Sequence, residues 1–164
     1  MTLTAAIRFL ALAALLVAFA ALTPARAEFE APAGWEVFKT THSYPALIER
    51  LDKAVEANKM GLVTRASATV GAKKMLDKEI PGNMVVGVYR PDFAVRMLEA
   101  SIPAGIEAPI RFYITENADK TASLSYKTPT AVFAPYAMDN EALRALGMEL
   151  DGIFAKIAAD AAGE

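Results

Sequence analysis

A two-layer α+β fold is predicted, with about five strands in a mostly antiparallel sheet and helices on one face. Five short runs have strand character, and most alternate apolar with polar residues, as expected for a sheet buried on one side only. Stripes of apolar residues at three- and four-residue spacing fall between and after these runs. The last stripe is Leu143, Leu146, Leu150, Ile153, Phe154 and Ile157. It stays apolar over several turns, so it needs a broad apolar partner, and the sheet is the obvious one.

Trp35 to Thr41 alternates and reads as the first strand. Ser43 and Pro45 then mark a helix start, and Leu47, Ile48, Leu51, Ala54 and Val55 form its inward stripe. Glu49, Arg50, Asp52 and Lys53 read as its solvated side, and Gly61 as its left-handed stop. Leu62 to Val70 reads as a second strand, followed over Ala72 to Ile80 by a short helical piece stopped at Pro81-Gly82. Asn83 to Tyr89 is almost continuously apolar, which predicts a central strand, and Pro91 opens a helix with Phe93, Ala94, Met97 and Leu98 inward.

Ser101 to Ala108 reads as a loop. Pro109 to Thr115 and Thr121 to Lys127 are period-2 runs around Asn117-Ala118-Asp119-Lys120, the clearest hairpin signal in the chain. Thr128 to Ala137 reads as a proline-punctuated loop, and Asp139 or Asn140 as the cap of the last helix. The order β-α-β-(short helix)-β-α-β-β-α suits a β-α-β4-α sheet with an inserted helix. A ferredoxin-like split βαβ arrangement is the alternative.

Residues 1–27 read as a signal peptide: Arg8, an apolar run from Phe9 to Leu22, and small residues at the Ala25-Arg26-Ala27 cleavage site. The run falls short of the roughly 18–20 residues that span a bilayer. Residues 28–34 form a lead-in, and 35–160 a single domain. Export is therefore expected, to the periplasm of a Gram-negative source and otherwise to the medium, with no stable membrane anchor after cleavage. Without Arg8 and Arg26, 15 basic side chains face 19 acidic ones, a balance that does not suit nucleic acid. The chain has no cysteine, which excludes disulfides, a lipidated cysteine and thiolate chemistry.

Three segments resemble the domain of unknown function 302 family: Asn83 to Asp92, Pro109 to Glu116, and Leu124 to Pro129. The resemblance covers roughly Trp35 to Tyr136, most of the chain after residue 27, with its motifs in these three separate segments. The resemblance implies a fold like that of the TATA-binding protein and a tendency to dimerise, and it implies no reaction. Relatives often carry Asn or Cys-Asn before the strand-ending proline, where this chain has Tyr89-Arg90. Exported relatives often carry Asp-His on the second strand, where this chain reads Thr64 to Ala68. A site built from those groups is lost or rebuilt here.

The strongest candidate site is Tyr89-Arg90-Pro91-Asp92, where a strand runs into a helix N-terminus. The free N–H groups there attract anions, and Arg90 can pair with a carboxylate or phosphate. Arg111 and Tyr126 on the hairpin complete the ligand-binding set. Arg111 lies with Tyr113, Thr121, Ser123, Ser125 and Lys127 on a polar sheet face. His42 has no second ligand at metal spacing and reads as a surface residue. The methionines read as core rather than as a copper site. No cofactor, metal site or catalytic set is expected. The leading expectation is an exported, non-catalytic binding or accessory domain for a small anionic or amphipathic ligand or a protein partner. The alternatives are an enzyme acting on a small acid through Tyr89 and Arg90, and a structural homodimer.

Overall fold

Five strands form one sheet in the order β1-β5-β4-β3-β2, and every neighbouring pair is antiparallel. The computed structural model describes residues 31–164, so the predicted signal peptide and the start of the lead-in lie outside the described residues. The strands are β1 (Trp35–Ser43), β2 (Gly61–Ala66), β3 (Asn83–Tyr89), β4 (Ile110–Glu116) and β5 (Thr121–Lys127). The helices are α1 (Tyr44–Ala57), α2 (Ala68–Leu76), α3 (Pro91–Ala100), α4 (Pro129–Phe133) and α5 (Glu141–Ala162). Single 3₁₀ turns cover Pro103–Glu107 and Ala134–Tyr136.

The first connection carries the chain through α1 from one edge of the sheet to the other, and β2 to β5 then return as neighbours. This is the β-α-β4-α arrangement, with α2 and α3 inserted into the return path. The ferredoxin-like alternative does not form, because β1 and β2 stand at opposite edges and no second βαβ unit interleaves with the first. The centre of the sheet is β4 rather than β3.

Alternation decides which side of each strand is covered. Val86 and Val88, Ile110, Phe112 and Ile114, and Leu124 and Tyr126 all point at the helices and are buried. They meet Leu47, Leu51 and Val55 of α1 and Leu143, Leu146, Leu150, Phe154 and Ile157 of α5 in one core. Phe112 stacks on Phe154 with ring centroids 4.9 Å apart, at the middle of that contact. Ile153 packs only at the margin, and Leu98, expected to face inward, is 46% exposed.

Several boundaries differ from expectation for local reasons. Asn58 caps α1 and Lys59 takes the left-handed conformation (φ 57°), so Gly61 is free to begin β2. The second strand stops at Ala66 because Ser67 N-caps α2, its hydroxyl accepting from the Val70 N–H. The stretch after β5 folds into α4, since Thr128 caps it and Pro129 sits where the helix needs no N–H. Asn140 caps α5, accepting from the Leu143 N–H.

The far end of α5 is tied to α1 and β1. Arg50, read as solvated, is half-buried; it donates from Nε to the Ala161 carbonyl (2.6 Å) and from Nη2 to the Asp160 carbonyl (3.0 Å). His42 lies within β1, half-buried, and its Nε2 donates to the Ala162 carbonyl at 3.0 Å. These donors satisfy carbonyls that a helix C-terminus otherwise leaves without a partner.

Candidate functional site

The Tyr89–Asp92 junction forms as the sequence predicts, with β3 ending at Tyr89 and Pro91 opening α3. Its charges are matched internally. Arg90 grips the Asp92 carboxylate with two parallel hydrogen bonds, Nε to Oδ1 at 2.7 Å and Nη2 to Oδ2 at 3.0 Å. The same guanidinium stacks 4.1 Å above the Phe93 ring. The hydrogen bond from Arg90 holds the Asp92 carboxyl below its ordinary range, and the backbone N–H groups of the first turn add to this. The anion at this helix start is therefore the chain's own carboxylate.

One turn on, Arg96 lies 5.4 Å from the same ring and reaches Glu149 of α5 at 2.7 Å. The cleft beneath, between Tyr89, Arg90, Phe93, Pro109 and Phe154, holds about 30 Å³, roughly the liquid volume of one water.

The other predicted residues lie elsewhere. Tyr126 points into the core, 2% exposed, with its ring against Phe38, Phe112 and Phe154. Burial pushes its hydroxyl up to about 12, and the charges of Glu36 and Asp151 add to the shift. Arg111 pairs in register with Gly87 and points to the opposite, open face of the sheet. An alanine methyl at Gly87 would stand 2.2 Å from Thr64 Oγ1 and 2.7 Å from Pro109 Cγ, so glycine lets both cross β3 there.

The larger cavity is a trough of about 650 Å³ crossing this open face. Val85 and Tyr113, cross-strand partners on β3 and β4, form its floor. Trp35, Glu107, Arg111 and Lys127 surround the end where β1 and β4 begin and β5 finishes, and Tyr126 backs the same end. Thus the five predicted residues fall into two groups: Arg111 with Tyr126 at the trough, and Tyr89 with Arg90 and Asp92 at the junction.

At the first end of the trough, Lys127 Nζ lies 5.7 Å from the Trp35 ring centroid. Glu107 accepts a hydrogen bond from the Tyr136 hydroxyl at 3.0 Å, which raises the Tyr136 pKa. Among the described residues Arg111 makes no ion pair with a carboxylate. At the far end, Asn83 accepts the Ala68 N–H (2.9 Å) and donates to Thr69 Oγ1 (2.9 Å), pinning α2 to β3. Ser67 lines the wall there. Burial raises the pKa of Tyr44, and the Ser67 side chain opposes that shift.

Alternation had placed Arg111, Tyr113 and Lys127 on one face. Trp35, Val85, Ser67 and Asn83 join them only through the strand order, which no local pattern encodes. Among the described residues no group of three or more His, Asp or Glu side chains could hold a metal ion.

No curated protein matches the chain. A solved structure does: that of an uncharacterized conserved protein, DUF302, from Bacillus stearothermophilus, with a TM-score of 0.70 at 16% sequence identity. The match covers 79% of this chain and 98% of that one. At that identity the likeness is one of fold. The family described as Domain of unknown function DUF302 matches residues 36–160, the whole sheet with all its helices almost to the end of α5, and the chain belongs to that family.

Proposed function

We propose that this chain is an exported, non-catalytic binding domain whose small-molecule ligand lies in the trough on the open face of the sheet. The observation that carries the reading is the trough itself. Its volume of about 650 Å³ falls within the roughly 300–1,000 Å³ of small-molecule sites. Its floor is aliphatic and aromatic, with polar groups confined to its two ends. The Tyr89–Asp92 junction supports the reading less well, since Arg90 is held by Asp92 and the cleft beneath it is no larger than a water.

Trp35 is the only tryptophan in the chain and borders the trough, so its emission reports occupancy. In a metabolite-sized compound library, binders should both change that emission and raise the melting temperature. A ligand present at about 100 times its Kd stabilises by about 2.7 kcal/mol. A library in which no compound does both would refute the reading. The exported part rests on the leader, and protein recovered from its native host should begin at Glu28; an intact Met1 would refute export.

A second reading, a homodimer, is favoured by α2. None of its residues is buried, and Val70, Met75 and Leu76 are 62%, 82% and 73% exposed. Light scattering across a concentration series tests it, and a monomer mass throughout would sink it.

A further inference from the structure

We infer that the trough takes an amphipathic monoanion with a single extended acyl chain, its carboxylate held by Arg111 and Lys127. The inference rests on the trough being a ligand site and adds what that ligand is. Three observations carry it.

The first is charge. The charged side chains lining the trough are Arg111, Lys127 and Glu107, an excess of one positive charge in a chain that is acidic as a whole. Glu107 is engaged by the Tyr136 hydroxyl. A single carboxylate therefore balances the site, and an arginine fork beside an ammonium group suits it.

The second is polarity along the trough. Both cations stand at the Trp35 end. At the other end are Ser67 and Asn83, which carry no charge, and the Asn83 amide is already used by Ala68, Thr69 and the Pro81 carbonyl. Between the ends lie Val85 and the Tyr113 ring. A charged group at one end and an apolar run from it describe a head and a tail.

The third is shape. From β1 to β2 the sheet is four strand spacings wide, about 19 Å. A volume of about 650 Å³ over that length leaves a cross-section of about 34 Å². That is room for one extended chain laid across the sheet.

The test is titration of the purified protein with hexanoate, octanoate and decanoate, followed by Trp35 emission and by melting temperature. Decanol, decyltrimethylammonium and naphthoate serve as comparisons. Affinity should rise about twofold per added methylene, less than for full burial because one side of the trough is open. Decanol and the cationic analogue should bind at least about tenfold more weakly than decanoate, the loss expected when a charge-assisted hydrogen bond is removed. The double variant Arg111→Ala/Lys127→Ala should weaken decanoate about tenfold and leave decanol unchanged, while Arg111→Lys, which keeps the charge and loses the fork, should weaken it by less than the double variant does. Both side chains are exposed, so the melting temperature without ligand should hold.

Equal binding of decanol and decanoate, or a double variant with unchanged decanoate affinity, overturns the carboxylate seat. Tighter binding of naphthoate than of decanoate overturns the acyl chain. Either result leaves the trough as a ligand site. If unrelated library compounds bind at Trp35 and none of this series does, the inference alone fails. If nothing of any class binds, the trough reading falls with it.

Discussion

Removing the Arg50 side chain should loosen the end of α5 from α1 and β1 and cost about 2–3 kcal/mol. The inner contact, Nε to the Ala161 carbonyl at 2.6 Å, dominates, because Ala161 is fully buried and water does not readily replace the donor. A hydrogen bond to a charged group contributes about 1.5–3 kcal/mol in such a setting. The outer contact, Nη2 to the Asp160 carbonyl, is exposed and adds little. The guanidinium also sits at the negative end of the helix dipole, worth about 0.3–1 kcal/mol. At roughly 3–4 °C per kcal/mol for a domain of this size, Arg50→Ala should melt about 6–12 °C lower. Circular dichroism melts read this, and amide exchange should quicken in the last turn of α5 before the rest of the helix. Arg50→Lys keeps the dipole interaction and loses the planar fork, so it should recover less than half of the loss. A melting temperature for Arg50→Ala within about 2 °C of the parent, with exchange unchanged, would refute this account of how α5 is fastened.

Gly87→Ala places a methyl 2.2 Å from Thr64 Oγ1 and 2.7 Å from Pro109 Cγ; a loss of about 1–3 kcal/mol is expected in chemical denaturation, and an unchanged midpoint would contradict the packing of β3. The carboxyls of Asp92, Asp119, Glu149 and Asp160 are all held below their ordinary values by the hydrogen bonds they accept. Their stabilisation is present above the ordinary carboxylate range of about 4 and lost as pH falls through their lower folded values, so melting temperature should be flat from neutral pH to about 5 and decline below about 4. A decline beginning near pH 6 would point to some other group. For Tyr126 the sign reverses: with its folded pKa raised from 10.0 to about 12, the stability it contributes is full below pH 10 and lost as pH climbs toward 12. Ultraviolet titration should find it un-ionised at pH 11 while the fold persists, and early ionisation would mean the ring is not buried among Phe38, Phe112 and Phe154.

What was legible in the sequence was whatever depends on neighbours in the chain. The hairpin of β4 and β5 follows from two period-2 runs around a polar turn, and the buried face of α5 from its spacing of leucines. The start of α3 follows from Pro91. Boundaries were lost where a small polar residue overrides an apolar run, as Ser67 does in ending β2 and Thr128 in starting α4. Arg50 and His42 were misread for a different reason. Their partners are carbonyls of residues 160–162, more than 100 positions away, and no periodicity announces a backbone acceptor. The trough has the same cause: Trp35 and Val85 share a face with Arg111 only once β1 pairs with β5 and β3 with β4.

The surfaces open to a partner can be ranked by what the chain has already done to them. The helix start at Pro91 carries its own carboxylate, clasped by Arg90, so an incoming anion must displace an intramolecular, bidentate partner. Each edge of the sheet is interrupted: β1 shifts register between Lys39 and Ser43, where Thr40 Oγ1 donates to the Ala122 carbonyl, and β2 shifts between Leu62 and Thr64. Such bulges twist an edge away from straight pairing with another strand. A second copy would therefore have to meet the outer side of α2 rather than extend the sheet. The open face differs from all of these. Its central strands, β3 to β5, pair without a register shift, its floor of Val85 and Tyr113 is only half-buried, and Arg111 stands above it with no carboxylate paired to it among the described residues. A ligand there would break no internal ion pair, which is the physical reason the proposed site lies on that face.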